Sequence, residues 1–147
     1  MKMIRLVFLF AALVGLLSTT HAADHARIQG ILISASNDPG KTDQRLAAYE
    51  PTLKRLLRFE SYRFLGDDNA SIAVPASGQL SIGDGHQLDV TTESADSSGI
   101  HVRVRWTQGG RTLMNTGLVL RPGVPAVLGG PSTGKKGEVY AVIVIGR

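Results

Sequence analysis

Ile100, Val102, Val104 and Trp106 alternate without a break with His101, Arg103, Arg105 and Thr107, and a Gly109-Gly110 pair follows at once. A period of two is the period of a strand with one buried face. Adjacent glycines reach the positive φ angles that a tight hairpin turn requires. The return segment, residues 111–120, carries Met114, Thr116, Leu118 and Leu120 on one face, and that set should meet the Ile100 to Trp106 face in a core. A chain holding such a hairpin must cover one side of a sheet. Trp106 shares its phase with three aliphatic residues, so it is expected in the core or plugging a sheet end.

Other segments repeat the theme. Residues 27–35 (RIQGILISA) read as a strand ended by Asn37-Asp38-Pro39-Gly40, a dense turn signal. Leu46, Tyr49, Leu53, Leu56 and Leu57 then recur at helical spacing, with Thr42 or Asp43 available as a cap. Pro51 disfavours helix at Glu50 and predicts a kink, with a second short helix holding Pro51 in its first turn. Lys54, Arg55 and Arg58 fall near its carboxyl end, where the helix dipole favours cations. Phe59, Tyr62 and Phe64 are assigned to packing where helix meets strand.

Beyond Ser61 everything reads as extended: residues 62–65, 71–74, 79–82 and 87–92 are short candidates between Gly, Asp and Pro clusters. Arg121-Pro122-Gly123 turns the chain before a short strand at 126–128. Residues 139–145 (VYAVIVI) are apolar on both faces, which suits the middle of a sheet and would be a liability at its edge. The expected fold class is therefore α+β: an N-terminal strand–helix unit packed on a mostly antiparallel β-sheet or small β-sandwich of roughly six to eight strands.

Residues 1–22 (MKMIRLVFLFAALVGLLSTTHA) read as a cleavable signal peptide. Lys2 and Arg5 supply the positive start, an apolar run follows, and Thr20-His21-Ala22 precedes the cut. The run from Val7 to Leu17 is about half of what a spanning helix needs, so no membrane span is expected in the mature chain. The remainder, residues 23–147, suits one domain of about 125 residues, periplasmic or secreted. Cleavage takes two of the 16 basic residues and leaves 14 against 12 acidic ones. That small excess lacks the clustering and aromatic interleaving of a nucleic-acid surface, and no nucleic acid is expected as partner. Cysteine is absent. Disulfides, thiol catalysis and cysteine-held zinc are excluded with it, as is the cysteine of a lipoprotein anchor.

Several groupings suggest chemistry. Gly129-Gly130-Pro131-Ser132-Thr133-Gly134-Lys135-Lys136 nearly spells a phosphate loop, but Lys136 stands where a hydroxyl should meet Mg²⁺ and the next residues are strand-like. It is read as a glycine-rich turn between strands. Ser132 and Lys135 have the spacing of some acyl-transfer enzymes without the helix or companion residues those need. Asp84, His86 and Asp89, or Asp67, Asp68 and Asn69, offer metal-ligand types without converging histidines, and polar turns explain them better. His101 could act as a general base, yet no carboxylate or hydroxyl is judged near it in sequence. It is expected to be a solvated histidine at a sheet edge. Paired carboxylates for glycosidase work would want sugar-stacking aromatics, and Trp106 is the single tryptophan. No metal, cofactor or catalytic group is expected.

Two stretches carry a resemblance. The run ILISASNDPGKTDQRLAAYEPTLKRLLRFESYRFLG, residues 31–66, resembles the opening of uncharacterised exported bacterial proteins. The tail TGLVLRPGVPAVLGGPSTGKKGEVYAVIVIG, residues 116–146, resembles the end of a secretin β-domain. There too, a strand, a Gly turn, a strand ending in Gly-Gly and an apolar strand follow one another. Only residues 131–137 separate the last two strands, where secretins place a longer insertion. The resemblance implies a related sheet unit, or an accessory role near a secretion or pilus machine.

The expected function is that of an exported, non-catalytic cell-envelope protein acting as a protein-binding or accessory module. A component of a secretion or pilus machine and a small periplasmic enzyme or inhibitor are the competing readings. The expected binding surface is the basic face His101, Arg103 and Arg105 with Arg111, suited to an acidic envelope protein or an anionic envelope polymer.

Overall fold

A computed structural model describes residues 25–147, so the expected signal peptide lies outside the described residues. In chain order the elements are β1 (His25–Ser36), a 3-10 turn (Gln44–Leu46), α1 (Glu50–Leu57), β2 (Ser61–Ala73), β3 (Ala76–Gly83) and β4 (His86–Asp96). They continue as β5 (Gly99–Gln108), β6 (Arg111–Leu120), β7 (Ala126–Ser132) and β8 (Glu138–Gly146). The strands form two four-stranded sheets, β2-β1-β8-β7 and β3-β4-β5-β6, with every pair antiparallel.

The α+β expectation is thereby corrected: the protein is a mostly β sandwich with one short α-helix. Two local causes limit the helix. Pro51 sits in its first turn, and Arg58 ends it in the left-handed region at φ 56°. Eight residues cannot form a layer. They cover part of one outer face, where Leu46 and Leu53 pack on Ile31, Ile33, Ala141 and Ile143. Leu56, expected on the buried face, is instead exposed. As expected, Pro51 falls in the first turn of a short helix, although that helix already begins at Glu50; Asp43 caps the preceding 3-10 turn by accepting from the Arg45 N–H at 3.0 Å. Tyr62 fastens the helix to β2: its hydroxyl donates to the Leu53 carbonyl at 3.0 Å and accepts from the Phe59 N–H at 3.1 Å.

The central core lies between the sheets. Ile28, Leu32, Val142 and Val144 from one meet Leu80, Leu88, Val90, Val102, Val104 and Trp106 from the other. The predicted hairpin is in place. Gly109 and Gly110 take φ 55° and 82°, and Trp106, Val104, Val102 and Ile100 face Met114, Thr116, Leu118 and Leu120. β8 lies between β1 and β7, as its two-sided apolarity demands.

The two short strands expected at 62–65 and 71–74 are one strand, β2. Its polar middle survives as strand because Leu65 is an extra, bulged residue opposite Leu32 and Ile33, and a bulge lets the strand bend without ending. The β2–β3 turn is tied by Thr92, whose hydroxyl bonds to the backbone of Ala73 and Ala76. Among the described residues no helix is long and apolar enough to cross a membrane.

Candidate partner-binding face

Strand alternation sends Val102, Val104 and Trp106 inward and leaves His101, Arg103 and Arg105 on the outer face of β5. Register completes the surface. His101 lies between Ser94 of β4 and Val119 of β6, Arg103 between Thr91 and Gly117, and Arg105 between Asp89 and Asn115. Gly117 presents no side chain. A groove of about 250 Å³ runs beside it, lined by Glu93, Ser94, His101, Val102, Leu118 and Val119. Val119, 47 % exposed, is the one large apolar side chain offered to solvent there.

The structure thus brings three of the four expected residues onto one face. Arg111 pairs with Gln108 across the hairpin. Gln108 is three residues from Arg105, an odd number, so Arg111 belongs to the opposite side of the ladder.

Carboxylates interrupt the basic stripe. A bulge in β4 projects Glu93, whose Oε1 lies 3.9 Å from Arg103 Nε. Asp89 accepts from the side-chain amides of Gln79 at 3.0 Å and Gln87 at 3.3 Å, and Arg105 Nε donates to Thr112 Oγ1 at 3.1 Å. Cations and acids therefore alternate across the sheet. Such a mosaic selects a partner by charge pattern more than by bulk attraction.

His101 corrects the sequence reading directly. A tight turn folds Asp96 and Ser98 back onto it, with Asp96 Oδ2 at 3.0 Å and Ser98 Oγ at 3.3 Å, both on Nε2. Hydrogen bonds from Ser98, then from His101, hold the Asp96 carboxyl below the usual carboxylate range. A nucleophilic relay needs the hydroxyl and the carboxylate on opposite ring nitrogens. Here they share one, so the cluster locks the turn and fixes the ring over the groove. The Asp96-Ser97-Ser98-Gly99 run is itself a turn signal, and it is the sequence feature that points to this contact.

The other chemical candidates disperse. Asp67 accepts from Gln29 at 3.3 Å, and Asp68 accepts from the Ser81 N–H at 3.0 Å. No group of three metal-ligand types converges among the described residues. Residues 133–137 form the turn between β7 and β8, with no helix after them.

His86 is no turn residue. It is buried, its Nδ1 accepts from Trp106 Nε1–H at 2.9 Å, and its ring packs 4.4 Å from the Tyr140 ring. Tyr140 in turn donates to Asp84 Oδ2 at 3.1 Å, linking the two sheets. Burial pushes the His86 pKa down, with the Asp84 charge opposing more weakly. The unfolded chain therefore binds a proton near pH 6.5 that the folded one resists. Stability should be at its full value above about pH 6.5 and fall as pH drops toward the lowered folded pKa. Urea midpoints between pH 7.5 and pH 5 check this. A His86→Gln variant keeps an acceptor for the indole and should lose that part of the acid slope; an unchanged slope contradicts it.

Comparison with known protein families, with curated proteins and with solved structures finds no match.

Proposed function

We propose that this is an exported, non-catalytic cell-envelope protein that binds an acidic segment of a partner protein along β5 and β6. The observation that carries the reading is the asymmetry of the two outer faces. One is covered by α1 and the 3-10 turn. The other presents Thr91, Arg103, Arg105 and Asn115 to solvent, beside an edge strand. β6 closes the β3-β4-β5-β6 sheet; its bulge, at Leu113, lies close to the hairpin turn, so residues 114–120 run on as a regular edge that contains neither Lys nor Pro. An extended partner segment can add its backbone to β6 while its carboxylates reach Arg103 and Arg105 and an apolar side chain meets Val119. Residues 1–22 support export through their leader-like pattern.

The test is a photo-crosslinker placed at Asn115, in whole cells, with and without the Arg103→Glu/Arg105→Glu pair. Both arginines are exposed, and the reversal, which sets Glu beside Glu93 and opposite Asp89, should cost about 1–2 kcal/mol at most and leave the fold intact. A discrete crosslinked product is expected, weakened about tenfold or more by the reversal, since like charges across an interface are strongly unfavourable. An identical set of products from both chains removes the proposal.

A further inference from the structure

The inner face of the β2-β1-β8-β7 sheet changes character along β1. Ile28 and Leu32 enter the core, and alternation continues the same face through Ser34 and Ser36. Opposite Ser34 stand Arg63 and Tyr140; opposite Ser36 stand Ser61 and Glu138. The facing sheet stops short of these rows: the end of β3, at Ile82 and Gly83, lies against Gly66. A core face has become the polar wall of a cleft.

That cleft has a volume of about 330 Å³, the lower end of the range for small-molecule sites. Three cations from three separate elements line it: Lys41 from the loop after β1, Arg63 from β2, and Lys135 from the β7–β8 loop. Among the described residues none of the three is in an ion pair. The loops that carry the lysines are fixed in advance. Asn37 N–H donates to the Gly137 carbonyl at 3.1 Å and Glu138 N–H to the Lys135 carbonyl at 3.2 Å, while Ser61 Oγ donates to the Asp38 carbonyl at 3.2 Å. The glycine-rich turn that only imitates a phosphate loop in sequence thus delivers Lys135 to a real convergence of charge.

We infer that this cleft binds the phosphate group of a hydroxyl-rich ligand, a sugar phosphate. A tetrahedral group with three terminal oxygens suits cations arriving from three directions better than a planar carboxylate does. Arg63 can take two of its oxygens at once, and the lysines act as point charges. Two carboxylates also line it, Asp38 and Glu138. Glu138 already accepts from Thr133 Oγ1 at 3.0 Å. Asp38 and the serine hydroxyls then select for ligand hydroxyl groups beside the phosphate. The inference is independent of the β5–β6 face.

Amide-shift titration of the folded protein tests it, with inorganic phosphate, glucose and glucose 1-phosphate as probes. Glucose 1-phosphate should shift amides within 34–41, 61–63 and 133–138 and bind more tightly than inorganic phosphate, while glucose gives no shifts. Arg63→Gln and Lys135→Gln should each weaken it about tenfold, the scale of one charge-assisted contact, and Arg103→Gln should leave it unchanged. A phosphorylated polysaccharide binding better than glucose 1-phosphate would place the phosphate on an envelope polymer; the reverse order would indicate a free sugar phosphate. Shifts elsewhere, no shifts at about 10 mM (a binding energy below about 3 kcal/mol), or affinity untouched in both variants overturns the inference.

Discussion

Trp106→Ala is expected to lower unfolding free energy by about 3–5 kcal/mol, the usual cost of deleting a large buried aromatic side chain. Trp106 is fully buried, and its ring reaches across the sandwich to Gly130. A Cβ at Gly130 would lie 2.2 Å from the indole Cη2, so the ring occupies the volume a side chain there would need. Alanine leaves a void bounded by rigid strands that have little freedom to close it. It also removes the donor held by His86 Nδ1, leaving that nitrogen buried and unbonded. Trp106→Phe is a milder variant. It keeps an aromatic ring, and its cost of about 1–3 kcal/mol combines the lost hydrogen bond with the space opened where Cη2 and Cζ3 met Gly130. Urea denaturation at pH 7.5 reads both. A Trp106→Ala loss under about 1.5 kcal/mol would mean that the site collapses, contrary to a close-packed core.

The second large effect belongs to Gly66→Ala. A Cβ there would stand 2.2 Å from the Ile82 carbonyl oxygen and 3.2 Å from Gly83 Cα. These are backbone atoms of β3, and no rotamer change relieves the clash. The β2 and β3 edges must separate or the bulge at Leu65 must rearrange, at a cost of about 3 kcal/mol or more, the upper end for overpacking. Gly129→Ala is the matched control. Its nearest neighbour is a Leu57 side-chain atom at 3.6 Å, an ordinary contact, so its change should stay within about 0.5 kcal/mol. Thermal or urea unfolding of the pair decides the point: equal stabilities would show that β2 and β3 do not approach as described.

Particular residues show what local pattern could reveal. The Ile100 to Trp106 alternation, the Gly109-Gly110 turn and the inward set on β6 are all recoverable because a hairpin joins neighbours in the chain, and its register follows from turn length and face. β8 announces its central place by being apolar on both sides. The α1 segment misleads: its leucines have helical spacing, yet spacing does not state how many turns survive or whether a helix forms a layer. The candidate face was legible as a row on β5. Its counter-charges were not, since Glu93 enters through a bulge and Asp96 through a reversal of the chain. His86 read as a polar turn residue because the indole that buries and bonds it lies twenty residues away.

Period-two alternation, glycine pairs and proline positions act over a few residues, and these alone determined β1, the β5–β6 hairpin, β8 and the place of Pro51 in the first turn of α1. The assignment of strands to two sheets, the pairing of β1 with β8, the reach of Trp106 over Gly130 and the meeting of Lys41, Arg63 and Lys135 were decided only in the tertiary structure. Such contacts join segments whose separation along the chain leaves no periodic trace. They form because burying the inner faces of both sheets together removes more apolar surface from water than either sheet could alone.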